Sequence, residues 1–189
     1  MSFFANLQAM NDTADNQDPT PNTADGANAT NTNSGASDEK GAAVKFPPPA
    51  IFVILIFVGA GLDYVWPLGL GVPESFEALG IAITLFGVAV AILVNGTFKR
   101  KGTAIEPWKP TTQLITSGFY AWSRNPIYLG FCLFNIGIGI ASNSFWILIT
   151  FIPGAYLVYI IAIAREEAYL EEKFGDAYQN YKARVRRWL

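Results

Sequence analysis

Two short stretches hold most of the side chains in this sequence that could do chemistry. LITSGFYAWSRNPIYLGF, residues 114–131, sets an arginine, an asparagine and a proline among five aromatic rings. Arg165, Glu166 and Glu167 follow at the far end of the longest charge-free run in the chain. Carboxylates beside aromatic faces suit a cationic group, through ion pairing and cation–π attraction, while arginine suits a carboxylate. An amino-acid-bearing sulfonium carries all of the groups that such a mixed site would bind.

Other chemistries are excluded by composition. The 189 residues contain no histidine, which removes the commonest general base and the commonest transition-metal ligand. The single cysteine, Cys132, permits neither an internal disulfide nor a thiolate cluster, and an apolar setting would leave it inert. No metal site and no nucleic-acid partner are expected. Gly137 and Gly139 form a GxG inside an apolar run, where helix packing explains them better than phosphate binding.

The elements that must position these residues are membrane spans. Hydrophobic residues make up 51% of the chain and charged residues 15%, and the apolar residues are concentrated after Phe46. Charge-free runs cover 46–62, 78–98 and 125–164, the last interrupted by Ser142, Asn143 and Ser144. About 20 helical residues cross a hydrocarbon core of about 30 Å, so the longest run is two spans joined by a tight turn. The expectation is an all-α integral membrane protein with four transmembrane helices, near 48–66, 76–97, 126–142 and 145–164. Asp63, Tyr64 and Trp66 after the first span have the chemistry of a headgroup interface.

All 13 Lys and Arg lie before the first span, between the second and third, or after the fourth. The positive-inside rule therefore puts both termini and the 98–125 loop in the cytoplasm. After the fourth span, Leu170, Phe174, Tyr178, Tyr181, Val185 and Trp188 recur at steps of three or four, which predicts an amphipathic interfacial helix over 165–188, restarted near Gly175. Residues 1–45 read as a polar tail, disordered because it holds too few large apolar side chains to offset its ordering entropy. Residues 46–189 form the membrane domain.

A hairpin of the third and fourth spans brings Arg124 and Arg165 to one face, against Glu166 and Glu167, under Tyr120, Trp122 and Tyr128. Three ionisable residues at the end of a span are also what a helix reaching the interface commonly shows.

LITSGFYAWSRNPIYLG, followed by a two-span hairpin and then REEAYLEEKFGDAYQNYKARVRRW, resembles the isoprenylcysteine carboxyl methyltransferase and phospholipid methyltransferase superfamily of integral membrane methyltransferases. The resemblance covers roughly Gly102 to Trp188. It implies methyl transfer from S-adenosyl-L-methionine to a lipophilic acceptor entering from the membrane lipid, most simply an isoprenylcysteine-type carboxylate. The cofactor contacts it implies are Thr112, Gln113, Leu114, Ile115, Tyr120, Asn125, Pro126, Ile127 and Tyr128, and Arg124, which the hairpin puts beside them, is expected to join the set. Glu166 and Glu167 match the family's glutamate near the acceptor and its partner, and with Arg165, from the charged cluster itself, they are the expected catalytic group. Two positions depart from the family pattern: Asn125 stands where a histidine is usual, and Ala162 stands where the isoprenylcysteine branch has an acceptor-binding arginine. The alternatives are N-methylation of a phospholipid amine and a non-catalytic membrane scaffold or sensory subunit. Oligomeric state is open.

Overall fold

The computed structural model describes residues 41, 42, 44, 46–104, 106 and 109–189. Five helices carry the described part of the chain. Helix α1 is Pro48–Val65, α2 is Ser75–Arg100, α3 is Pro126–Ala141, α4 is the continuous helical run Phe145–Phe174, and α5 is Asp176–Arg184. Proline opens both α1 and α3, where its fixed φ suits the first turn and its missing N–H costs nothing. Glu77 at the start of α2 and Lys99 and Arg100 at its end complement the helix dipole.

Helices α1, α2 and α4 are long and apolar enough to cross a membrane, and α3, with 16 residues, is shorter. Large apolar side chains face outward in a way that water would not tolerate, with Phe57 72%, Leu85 63% and Ile92 64% exposed. This is a multi-pass membrane protein.

Close approach of α2 and α3 rests on glycine. A Cβ on Gly137 would lie 2.7 Å from the Gly80 carbonyl oxygen, so only hydrogen fits between the two backbones. Packing is therefore the role of the Gly137-x-Gly139 pair. The turn from α3 to α4 runs through Asn143 at φ +47°, a left-handed position that asparagine tolerates. Ser144 then caps α4, its hydroxyl accepting from the Ile147 amide at 3.3 Å. Asn135, fully buried on α3, donates to the Thr150 hydroxyl at 3.1 Å and so ties the hairpin together inside its apolar interior.

At this end of the bundle the loop after α1 is stitched to the same turn. Phe145 N–H donates to the Leu68 carbonyl at 2.9 Å, Ser144 Oγ to Asp63 at 2.9 Å, and Trp146 Nε1 to the Trp66 carbonyl at 2.8 Å. Tyr64 and Trp66 are 89% and 71% exposed, as an interfacial belt requires.

Inside α4, Pro153 has no N–H to give to Ile149, and the α pattern breaks at Thr150. A π turn follows at Tyr159–Ile163, after which Ala164–Phe174 resumes the α pattern. The helix ends at Gly175, whose φ of +48° favours glycine.

One expectation is corrected. The aromatic face of the segment after residue 165 is not laid against lipid: Tyr178 and Tyr181 are 1% and 3% exposed, and Tyr181 donates from its hydroxyl to the Tyr120 carbonyl at 2.7 Å. Tyrosine at those positions is satisfied by protein carbonyl and cavity wall, so α5 folds back on the bundle. The polar-tail expectation for 1–45 falls outside the described residues except at Gly41, Ala42 and Val44. There Ala42 and Val44 are buried on the core formed by Phe52, Tyr128 and Val158, so ordered packing begins before Phe46.

Candidate functional site

A cavity lies where the loop before α3, the start of α3, the end of α4 and helix α5 converge. Counting its open mouth, about 850 Å³ there is not filled by protein atoms. Of the residues singled out from sequence, Gln113, Leu114, Ile115, Tyr120, Arg124, Asn125, Ile127, Tyr128, Glu166 and Glu167 line it.

The loop wall is held by short polar ties. The Thr103 and Thr111 hydroxyls share a hydrogen bond of 2.9 Å, the Thr112 amide donates to Thr103 at 2.9 Å, and the Gln113 side chain donates to the Lys101 carbonyl at 3.1 Å. A 3₁₀ turn, Gly118–Ala121, then presents Tyr120, whose ring meets Phe98 edge-on at 5.8 Å.

Across the cavity, the Tyr128 hydroxyl on α3 donates to Glu166 on α4. Glu167 receives a bidentate pair from Arg187, Nε and Nη2 both at 2.9 Å, and lies 3.4 Å from Arg124 Nη1. The Arg187 guanidinium stacks 5.0 Å from the centre of the Tyr159 ring. Its hydrogen bonds to Glu167 hold its pKa above the ordinary arginine value. Arg124 is nine-tenths buried, yet its Nε and Nη1 have no hydrogen-bond partner. The contact with Glu167 is an ion pair outside hydrogen-bonding geometry, so these donors stay open to another acceptor. Burial pushes Tyr178 up to about 12 and also raises Tyr120 and Tyr181, so all three remain protonated donors at neutral pH.

Four expected site residues fall elsewhere. Arg165 is exposed on the outer side of α4, because successive side chains on a helix point about 100° apart and Glu166 and Glu167 take the inner side. Trp122 is 79% exposed and forms no roof. Thr112 lies behind the loop wall, engaged with Thr103, and Pro126 is buried at the first turn of α3. Conversely, Phe98, Tyr169, Tyr178 and Tyr181 line the cavity without having been picked out as site residues, and Arg187 stands at Glu167. Tyrosines at 178 and 181, where leucine would serve a purely lipid-facing stripe, were the available signal.

A second, apolar groove opens on the flank of the bundle between α1, α2 and α3. Phe52, Val53, Ala91, Asn95, Ile127 and Phe131 are among the residues that line it. Ile127 belongs to both walls.

Residues 76–177, more than half of the chain, match the family described as phospholipid methyltransferase. The chain belongs to that family. Its members are membrane methyltransferases that use S-adenosylmethionine as methyl donor. Among curated proteins, it is 35% identical over 72 residues to a protein-S-isoprenylcysteine O-methyltransferase of Schizosaccharomyces pombe, covering 38% of this chain and 30% of the relative. It is 32% identical over 120 residues to the rat protein of the same name, covering 58% and 39%. A third relative, an uncharacterized protein of Haemophilus influenzae, is 74% identical over 27 residues, covering 14% and 43%. The chain thus spans about a third of the length of the isoprenylcysteine methyltransferases it matches.

Proposed function

We propose that residues 46–189 form an enzyme that transfers a methyl group from S-adenosylmethionine to a lipophilic acceptor, an isoprenylcysteine-type carboxylate. In this reading the membrane is crossed four times, both ends and the 98–125 loop are cytoplasmic, and the cavity is the donor site. The observation that carries it is the double role of Ile127, which lines both the cavity that holds Arg124, Glu166 and Glu167 and an apolar groove on the flank of the bundle. A water-soluble donor and a membrane-borne acceptor can approach each other there from opposite sides.

The cavity suits the donor. The unsatisfied Nε and Nη1 of Arg124 match a carboxylate, and the rings of Tyr120 and Tyr128 with the carboxylates of Glu166 and Glu167 match ammonium and sulfonium charge. When bound, S-adenosylmethionine supplies an electrophilic methyl group on its sulfonium sulfur. The protein's own task is positioning and exclusion of water. Arg124 would orient the donor's carboxylate, Tyr128 fixes the direction of the Glu166 carboxyl, and Ile127, Leu114 and Ile115 supply dry walls. A carboxylate acceptor needs no base. A phospholipid amine would first have to lose a proton, and Glu166 is the group placed to take it. That second reading is favoured by Ala162, which is fully buried and brings no guanidinium to an acceptor carboxylate.

Membranes containing the protein, given donor labelled in its methyl group, separate the readings. Base-labile release of labelled methanol supports the carboxyl acceptor, and stable label in phosphatidyl headgroups replaces it by the amine. No transfer, together with no S-adenosylhomocysteine binding by calorimetry, would overturn the enzyme reading.

A further inference from the structure

Residues Val185–Leu189 leave α5 through an extended Val185 and return to the start of α3. Three hydrogen bonds hold them there. The Arg124 amide donates to the Arg186 carbonyl at 3.0 Å. Ser123 Oγ and Asn125 Nδ2 both donate to the Arg187 carbonyl, at 3.2 and 3.1 Å. Ser123 and Asn125 are 2% and 5% exposed, so these bonds form away from competing water. From the same residue, the Arg187 side chain crosses Tyr159 and grips both oxygens of Glu167. Asn125 thus reaches Glu167 through one intervening residue: its amide fixes the Arg187 backbone, and the Arg187 fork fixes the carboxylate.

We propose that Asn125 is a positioning residue that acts through residues 185–189, and that this segment is a latch whose Arg187 orients Glu167 at the cavity. The inference rests on the reading of the cavity as a donor site. A latch explains why the Asn125 amide, although part of the cavity wall, spends its donor on a main-chain carbonyl. It also gives Glu167 a second arginine, so Arg124 is not the sole counter-charge and keeps donors for a ligand.

The test is a double-mutant cycle on the full chain in detergent, with S-adenosylhomocysteine as the calorimetric probe. Asn125→Asp keeps the side chain's size but sets an acceptor against the Arg187 carbonyl, and Arg187→Gln removes the fork. Each single change should weaken binding about tenfold, and the double variant should be no weaker than the weaker single one. Multiplied effects would show that Asn125 meets the donor directly, and would overturn the proposal. Asn125→His, which can offer an imidazole N–H to the same carbonyl, should restore binding to within about threefold of the original; failure to do so would also overturn it. Hydrogen exchange supplies the readout that does not need the donor. In Asn125→Asp, amides of 185–189 should exchange at least about tenfold faster while those of α2 are unchanged. Unaltered exchange removes the latch even if S-adenosylhomocysteine binds, whereas accelerated exchange without any binding by the original chain keeps the latch and removes the donor-site reading.

Discussion

Tyr128 and Glu166 lie 38 residues apart and meet across the cavity, the hydroxyl on α3 donating to Oε1 on α4. This bond spans the hairpin at the point where the two helices present their functional faces. Removing its donor with Tyr128→Phe leaves a carboxyl without its orienting partner. Hydrogen bonds to charged groups contribute about 1.5–3 kcal/mol, so kcat/KM for methyl transfer should fall about ten- to a hundredfold. Initial rates with labelled donor check this, and an undiminished rate would take the pair out of the reacting site.

Arg124→Lys keeps a positive charge near Glu167 but loses the planar guanidinium, whose Nε and Nη1 have no hydrogen-bond partner in the protein. Lysine replaces a planar set of donors by a single point charge on a flexible stem. The expected outcome is about a tenfold rise in the dissociation constant for S-adenosylhomocysteine, read by calorimetry.

Gly80→Ala should loosen the bundle from a point remote from the cavity. The added Cβ would lie 2.8 Å from the Gly137 carbonyl oxygen and from Ala141 Cα, and main chain cannot swing aside as a side chain can. Overpacking of this kind costs about 1–3 kcal/mol. A fall in the midpoint of thermal unfolding in detergent, with donor affinity unchanged at temperatures well below it, is the matching observation.

Asn135→Ala tests the polar tie within the α3–α4 hairpin. Thr150 loses its bond to Asn135 but keeps the one it donates to the Ile147 carbonyl at 2.6 Å, so no hydroxyl is stranded. Interhelical hydrogen bonds in membranes contribute about 0.6 kcal/mol on average and about 1.7 at most. Adding the lost packing, a decrease of about 1–2 kcal/mol in unfolding free energy is expected from denaturation in mixed micelles.

The helical runs were legible because they are defined by what they lack: no charge interrupts 46–62 or 78–98, and Ser142–Ser144 marks the one turn. Tyr128 and Glu166 could be paired in advance because a short-turn hairpin returns the chain to the level at which it started. Arg165 and Arg187 could not be sorted in the same way. The π turn at Tyr159–Ile163 alters the angular bookkeeping just before Arg165, and nothing in YIIAI announces it. The inward face of α5 was hidden for a different reason. An apolar and aromatic stripe is the same pattern whether a bilayer or a neighbouring helix covers it, and only the hydroxyl of Tyr181, which needs a partner such as the Tyr120 carbonyl, distinguishes the two. Ala42 and Val44 escaped notice because two small side chains after a polar segment carry no periodicity at all.

The stitching of the loop after α1 to the turn before α4 fixes one end of the bundle, while the apolar groove is lined at the other end by Phe52, Asn95 and Ile127. Helix α1 is therefore held in two different ways, by a hydrogen bond from Ser144 at Asp63 and by apolar packing of Ile51 and Phe52 on the core beside the groove. In the proposed reading, the hydrocarbon chain of an acceptor in that groove would meet the Phe52 and Phe131 rings, whose centres lie 5.8 Å apart.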